Sequence, residues 1–597
     1  MAKKLIFAVV LLFAVSIFAQ DIDPELEKKA MSIYALDMPK NSVTTLKIKK
    51  RVGNIYEGYK EFKNTFTATS EDQARGFGIF EYLSTEDIYP NTVPAKDLFR
   101  SSLRCSAAPG EKKIAALGIY PLEDIKYIKV AAGDLTDQYG TVIPAANIEV
   151  NPVIYDYEPE GVSWYCKGKY AMPETDTAPC LKEVPRLFYV TISVPAEAAA
   201  GKYKGKLSLS GGRKPSEAEL TVEVRALKLE PFSDEYYFSA FTYTDFNSSN
   251  QPGIEKTIIE LKKRGMNLLH GGIHSALKIT PAGAEIDFTN IEKNFLLMKK
   301  YGFKKCIVEL TALPNTFVDV LGCKFYDEKF NKAYKDMLLK IKDKMDKGGW
   351  PEIQVMYDEP REFDTDNPRP LARTFWDMEN ILRLHTEAGL PALPTYMSDD
   401  GGPRFEDSTK SATYWEQGSN YKYVMTHGWA PSAKLMRETV KKGNTLYLYN
   451  CGYGRFQFGL LTYQLGAKGN VQFWYSSSDS LNTMAQFPTS YAVVTTPKGP
   501  FIPTLRWLRS EEGVNDFRYI YTLKKAVERV KDKSAPEAVA ALNYLETLKA
   551  VTFGKTAGDG RESETVGSDT LKTFGGGKLD EMRDKLAEHI IALNKLK

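Results

Sequence analysis

Glu352-Ile-Gln-Val-Met-Tyr-Asp-Glu-Pro360 is the stretch on which the reading of the chain turns. It follows the turn-forming pair Gly348-Gly349, runs through the β-branched Ile353 and Val355, and stops at a proline that cannot continue a ladder. This profile predicts a buried strand whose C-terminal end carries two adjacent acids, Asp358 and Glu359. In a parallel α/β barrel that edge is where active sites are built. Like charges held together in a partly dry pocket raise one another's pKa. Glu359, pushed upward, would keep a proton to give to a leaving oxygen, while Asp358 stays ionised and stabilises developing positive charge. Neighbours on a strand point to opposite faces, so both acids reach one pocket only where the strand end twists or bulges. The competing reading is an exposed acidic loop that caps the next helix.

Outward from this stretch, the rhythm from Pro231 is strand then helix. Tyr236 to Tyr243 reads as a first strand, followed by a helix carrying Ile254, Ile258, Ile259 and Leu261. Asn267 to His270 is a second strand, Ile291 to Tyr301 a helix, Lys305 to Leu310 a third strand and Phe330 to Lys347 a helix. After the Asp-Glu strand come a helix from Arg373 to Ala388 and strands at Ala392–Met397, Tyr423–Thr426, Thr445–Tyr449 and Val471–Tyr475. About eight strand-helix steps over roughly 280 residues match one (β/α)8 barrel. Residues 231–510 are assigned to it.

On the N-terminal side, residues 20–230 hold short alternating segments between turns, among them Leu46–Lys50, Tyr127–Val130, Ile148–Val153, Leu187–Val194, Gly201–Leu209 and Ala218–Arg225. This spacing predicts a β-sandwich. On the C-terminal side, residues 511–597 read as a helical region, with helices at Arg506–Tyr521, Pro536–Leu548 and Leu579–Leu596. Residues 1–19 have Lys3 and Lys4, an apolar core from Leu5 to about Val15 and small residues before Gln20, as in a secretory signal peptide. A secreted or periplasmic protein is therefore the expectation, with no transmembrane span after signal removal.

The chain of 597 residues has 79 Lys and Arg against 76 Asp and Glu, and loss of the two leader lysines leaves 77 against 76. That balance offers no basic stripe for a nucleic acid. Aromatics make up 12% of residues, which permits a sugar pocket without requiring one. The six cysteines lack the close pairing of a zinc site, although Cys166 and Cys180 would close a loop in an oxidising compartment. His270 and His274 are separated by Gly271-Gly272, which spoils a helix that would aim both at a metal, so packing is the expected role.

Several separated stretches together resemble glycoside hydrolase family 123 and its wider relatives. They are Ala200-Gly-Lys-Tyr-Lys-Gly-Lys-Leu207, Tyr357-Asp-Glu-Pro360, Phe473-Trp-Tyr475 and Arg509-Ser-Glu-Glu-Gly-Val-Asn-Asp-Phe-Arg-Tyr519, in that order. The resemblance implies an exo-acting β-N-acetylgalactosaminidase with substrate-assisted retention and no metal or organic cofactor. Glu359 would be general acid and then base. Asp358 would orient the 2-acetamido group, whose carbonyl oxygen attacks the anomeric carbon.

Position at strand ends adds substrate-binding candidates. Tyr396 or Tyr449 is expected to donate to the acetamido oxygen, Trp474 with Trp429 to wall the sugar, and Asn450, Arg455 and Glu309 to bind hydroxyls. Each of the aromatic candidates is as well explained as barrel core, and Glu309 as a core acid beside a basic group. Two other readings remain: a retaining glycosidase on a sugar without an acetamido group, with Glu309 as partner to Glu359, and a non-catalytic carbohydrate-binding protein. The expected partner in every case is a glycan.

Overall fold

A computed structural model of the chain describes residues 66–90, 92–160, 163–311, 313–357, 375–396, 421–427, 433–477, 491–494, 501–549, 554–555, 564–565 and 577–596. The chain forms two compact units. One is Met1–Lys228 with Ser477–Arg506, and the other is Leu229–Ser476 with Trp507–Lys597. The leader, the segment Leu46–Lys50, Asp358, Glu359 and Trp429 lie outside the described residues.

The first unit has two main sheets around one apolar core. Phe77–Tyr82, Lys112–Pro121, Arg186–Ser193, Ile148–Glu160 and Ser163–Ala171 lie side by side in that order, each pair antiparallel. Ser102–Ala107, Ser216–Val224, Gly201–Ser210, Ile125–Ala132 and Thr177–Cys180 run side by side in the other sheet. Alternation sets the inward faces. Along Gly201–Ser210, Tyr203, Leu207 and Leu209 are buried while Lys202, Lys204 and Lys206 are exposed. Opposite them, Ala218, Leu220, Val222 and Val224 point inward, and all pack with Leu117, Phe188 and Val190 of the first sheet.

The Ser477–Arg506 segment belongs to this unit for a physical reason. Tyr491, Val494 and Ile502 pack on Ile154 and Tyr170, and the Tyr170 and Tyr491 hydroxyls meet at 2.8 Å. Cys180 is buried in the core between the sheets, and the side chain of Cys166, its expected partner, lies outside the described residues. Cys180 stands on Thr177–Cys180 of one sheet, whereas Cys166 stands on Ser163–Ala171, an outer strand of the other.

The second unit is built on a nine-stranded sheet whose neighbours are all parallel. From one edge it reads Tyr237–Ala240, Gly469–Gln472, Thr445–Tyr449, Tyr423–His427, Ala392–Tyr396, Glu352–Tyr357, Lys305–Glu309, Leu268–Gly272 and Thr244–Asp245. The two edge strands are consecutive pieces of chain. The sheet therefore curls back on itself, and Ser239 Oγ donates to Leu268 O between strands far apart in the order. Tyr237, Leu268, Ile307, Met356, Leu393, Met425, Tyr447 and Val471 fill the inside, one from each of the eight strands counted in chain order without the short Thr244–Asp245.

Helices connect these strands with local stop and start signals. Asp327 caps Glu328–Gly348 by accepting from the Phe330 N–H at 2.8 Å, and Gly349 ends it at φ +60°. That cap sets the entry of the Glu352 strand. Asn250 caps Gln251–Lys263 in the same way. Among the elements not expected from the sequence are the helix Leu313–Leu321 and the hairpin Leu277–Ile286. No helix among the described residues is long and apolar enough to cross a membrane.

Candidate active site

Period-two alternation carries the inner faces of the strands upward to their C-terminal ends. Leu268 is followed on the same face by His270, Ile307 by Glu309, Tyr447 by Tyr449 and Val471 by Phe473. Register brings these ends level, with Gly272 beside Glu309, Glu309 beside Met356 and Tyr449 beside Val471.

An aromatic floor results. Phe241 stacks on His270, with ring centroids 4.5 Å apart, and lies near-parallel to Tyr449 at 6.0 Å. Phe473 meets Phe241 and Tyr243 edge-on, at 6.4 and 6.1 Å. Trp474 follows Phe473 across a cis peptide and keeps 39% of its surface exposed. An exposed indole beside a buried aromatic cluster offers an apolar face to a ligand.

Glu309 is the described acid on this floor, and its side chain is 25% exposed. His270 Nε2 lies 3.7 Å from its Oε2. Burial pushes His270 down to about 3, so the imidazole is neutral and the pair is not a salt bridge. The Tyr243 N–H donates to His270 Nδ1 at 3.3 Å, which leaves the imidazole proton on Nε2, facing the carboxylate beyond hydrogen-bond range. Packing, the role expected from the sequence, is therefore what His270 does, though it does so at the functional rim.

Asn450 adopts a left-handed conformation at φ +52°, and its Oδ1 accepts from the Phe473 N–H at 3.1 Å. It braces the seventh strand end to the eighth. Tyr449 is buried in the floor, and Tyr396 ends its strand at the same rim.

Arg455 is elsewhere. Its guanidinium grips Asp516 with Nε at 2.7 Å and Nη2 at 3.1 Å, and Nη1 reaches Asp580 at 2.9 Å. Arg583 shares Asp516 and also holds Glu512 at 2.7 Å. Burial works against the Arg455 charge, but Asp516 and Asp580 together outweigh it and raise the pKa. The expectation that Arg455 binds a sugar hydroxyl is corrected to a buried ionic centre joining the segment after the seventh strand to the helices Leu505–Arg529 and Lys578–Asn594.

The same centre explains much of Arg509–Tyr519. Glu511 pairs with Arg264 at 2.8 Å, Glu512 and Asp516 serve the two other arginines, and Gly513 permits close approach. A Cβ on Gly513 would lie 2.4 Å from Arg455 O.

His270 and His385 are both depressed by burial, from the ordinary 6.5 to about 3 and about 4. Between those values and 6.5 the unfolded chain binds more protons, so stability is complete above about pH 6.5 and falls as pH drops toward 4. The expected loss is on the order of a few kcal/mol, read as a falling melting temperature over that window. A His270→Gln variant should show a flatter decline; an unchanged slope would remove His270 from the account.

No protein-family model and no curated protein sequence matches the chain. Among solved structures, a family 123 glycoside hydrolase from Clostridium perfringens, described in terms of glycolipid glycan hydrolysis, superposes over 87% of this chain and 99% of its own, with a TM-score of 0.63 and 10% identity. The chain has the fold of that hydrolase. An endo-β-1,4-mannanase from Thermotoga petrophila covers 47% of this chain and 77% of its own at a TM-score of 0.34 and 13% identity. The endo-β-1,4-xylanase of Gloeophyllum trabeum covers 47% and 96% at a TM-score of 0.32 and 11% identity.

Phe241, Tyr243 and Phe473 were not singled out as site residues from sequence. Carrying the alternation two residues past each apolar strand centre would have found Phe473 and placed His270 at the rim.

Proposed function

We propose that this chain is an exported, exo-acting glycoside hydrolase that releases terminal β-linked N-acetylhexosamine, with N-acetylgalactosamine favoured, and that a β-sandwich and a (β/α)8 barrel carry the activity. The observation that carries the proposal is the aromatic, one-ended rim of the parallel sheet in a chain with the fold of a family 123 hydrolase. Tyr357 ends the fourth strand at that rim and leads directly into Asp358 and Glu359.

Glu359 gives its proton to the glycosidic oxygen as the bond breaks. Asp358 accepts from the acetamido N–H and polarises the group, whose carbonyl oxygen attacks the anomeric carbon to form an oxazolinium ion. Glu359 then takes a proton from the water that opens this ring, and the anomeric configuration is retained. Trp474, with Trp429, forms the apolar wall for the sugar and its N-acetyl methyl. Tyr449 or Tyr396 donates to the acetamido oxygen, and Asn450 and Glu309 are the hydroxyl-facing groups.

The experiment is hydrolysis of a matched aryl pair, β-N-acetylgalactosaminide and β-galactoside, by the wild-type protein. Release from the acetamido sugar should exceed release from the plain sugar by at least about a hundredfold, since the internal nucleophile is absent from the latter. Equal release would overturn the substrate-assisted scheme.

A second reading has one observation in its favour. Glu309 stands on the inner face of the strand next to Glu352–Tyr357, where a protein nucleophile would belong. It predicts activity on the plain galactoside that vanishes in Glu309→Gln.

A further inference from the structure

We propose that Tyr357, held between Tyr334 and His385, is a positioning residue that fixes the direction in which the chain leaves the fourth strand toward Asp358 and Glu359. The inference rests on the functional reading of that acid pair.

Tyr357 is the last residue of its strand and is buried. Met356 points into the interior cluster, so Tyr357 points the other way, between the helices Glu328–Gly348 and Phe375–Ala388. Its hydroxyl lies 2.6 Å from the Tyr334 hydroxyl on one helix and 2.6 Å from His385 Nε2 on the other. Its backbone carbonyl accepts from Thr395 Oγ1 of the fifth strand at 3.2 Å. Three flanking elements thus converge on one residue.

The hydrogen bonds run in one direction. His385 Nδ1 lies 2.8 Å from Leu390 O, and a carbonyl can only accept, so Nδ1 carries the proton. The imidazole is neutral, because burial pushes it down to about 4. Nε2 is then an acceptor, and the Tyr357 hydroxyl must donate to it. The Tyr334 hydroxyl in turn donates to Tyr357. Every donor and acceptor from Tyr334 to Leu390 has one role, which gives the chain a single arrangement.

Filling space between two helices does not call for this. Val355, two residues earlier on the same face, is just as buried with an aliphatic side chain. A phenol spends its hydroxyl on orientation, and the atom it helps to orient is the carbonyl carbon bonded to the Asp358 nitrogen. Acids that act together on one bond-breaking step, one on the leaving oxygen and one on the acetamido group, need placement within fractions of an ångström.

The test compares Tyr357→Phe, His385→Leu and His385→Gln with wild type on the aryl β-N-acetylgalactosaminide, together with amide hydrogen exchange of the peptide spanning Asp358, Glu359 and Arg361. Tyr357→Phe and His385→Leu should lower kcat by about ten- to a hundredfold with KM within about twofold, and should speed exchange in that peptide alone. His385→Gln keeps an acceptor for the phenol and should recover most of the rate, which a packing role would not produce. Unchanged kcat and exchange in Tyr357→Phe would overturn the proposal, as would loss of kcat with melting temperature and exchange disturbed throughout the unit. If wild type is silent on the substrate pair yet Tyr357→Phe still speeds local exchange, the clamp is supported and the reading of the acids fails.

Discussion

Glu359→Gln is expected to lower kcat on an aryl β-N-acetylgalactosaminide by about 10²- to 10⁴-fold, the usual worth of a positioned general acid. Glutamine keeps the shape of the side chain and its hydrogen-bonding reach but has no proton to transfer. The loss should therefore depend on the leaving group. A dinitrophenyl glycoside departs without protonation, so Glu359→Gln should recover most of the first step on that substrate. Asp358→Asn acts on the acetamido nucleophile, and its loss should persist whatever the leaving group. Equal sensitivity of the two variants to leaving-group pKa would break the assignment of separate roles. Full activity in Glu359→Gln would remove the acid from the mechanism.

The second large effect is on stability. Asp516→Asn is expected to cost about 3–5 kcal/mol in chemical denaturation, because it withdraws the shared partner of two buried guanidiniums. Asp516 is wholly buried, and Arg455 and Arg583 are each almost fully enclosed. Asparagine can accept from one of them through its single side-chain oxygen. Glu512 remains for Arg583, and Asp580 for Arg455, but Asp580 is 40% exposed and solvent weakens that contact. A loss below about 1 kcal/mol would show that the remaining acids suffice.

Much of the strand-helix order was legible because each element carries its own period and punctuation. Thr445–Tyr449 has the bounds that its apolar run predicts, and Glu328–Gly348 ends where Gly349 takes the left-handed cap. The eighth strand was misplaced. Val471–Tyr475 looks like its centre because aromatic residues dominate it, but pairing occupies Gly469–Gln472. Gly469 is essential there, since a Cβ would fall 1.7 Å from Tyr237 O, and propensity gives no weight to such an approach.

The floor of the site was half visible. Tyr449, Asn450 and Trp474 were reachable by reading on past the end of an apolar strand. Arg455 lies past one too, yet its partners are 61 and 125 residues away, and no local pattern announces them. The return of Ser477–Arg506 to the first unit was hidden for the same reason: a short apolar run such as Tyr491–Val494 does not say which sheet it will cover.

That return has a consequence for the order in which the protein can be made. Synthesis delivers the five-stranded sheet of the first unit early, with Ile154 and Tyr170 uncovered, while Tyr491, Val494 and Ile502 arrive more than 300 residues later. At roughly 5–20 residues per second the apolar patch waits for tens of seconds before its cover emerges. The amino-terminal unit, first to be translated, is thus among the last parts of the molecule to be finished.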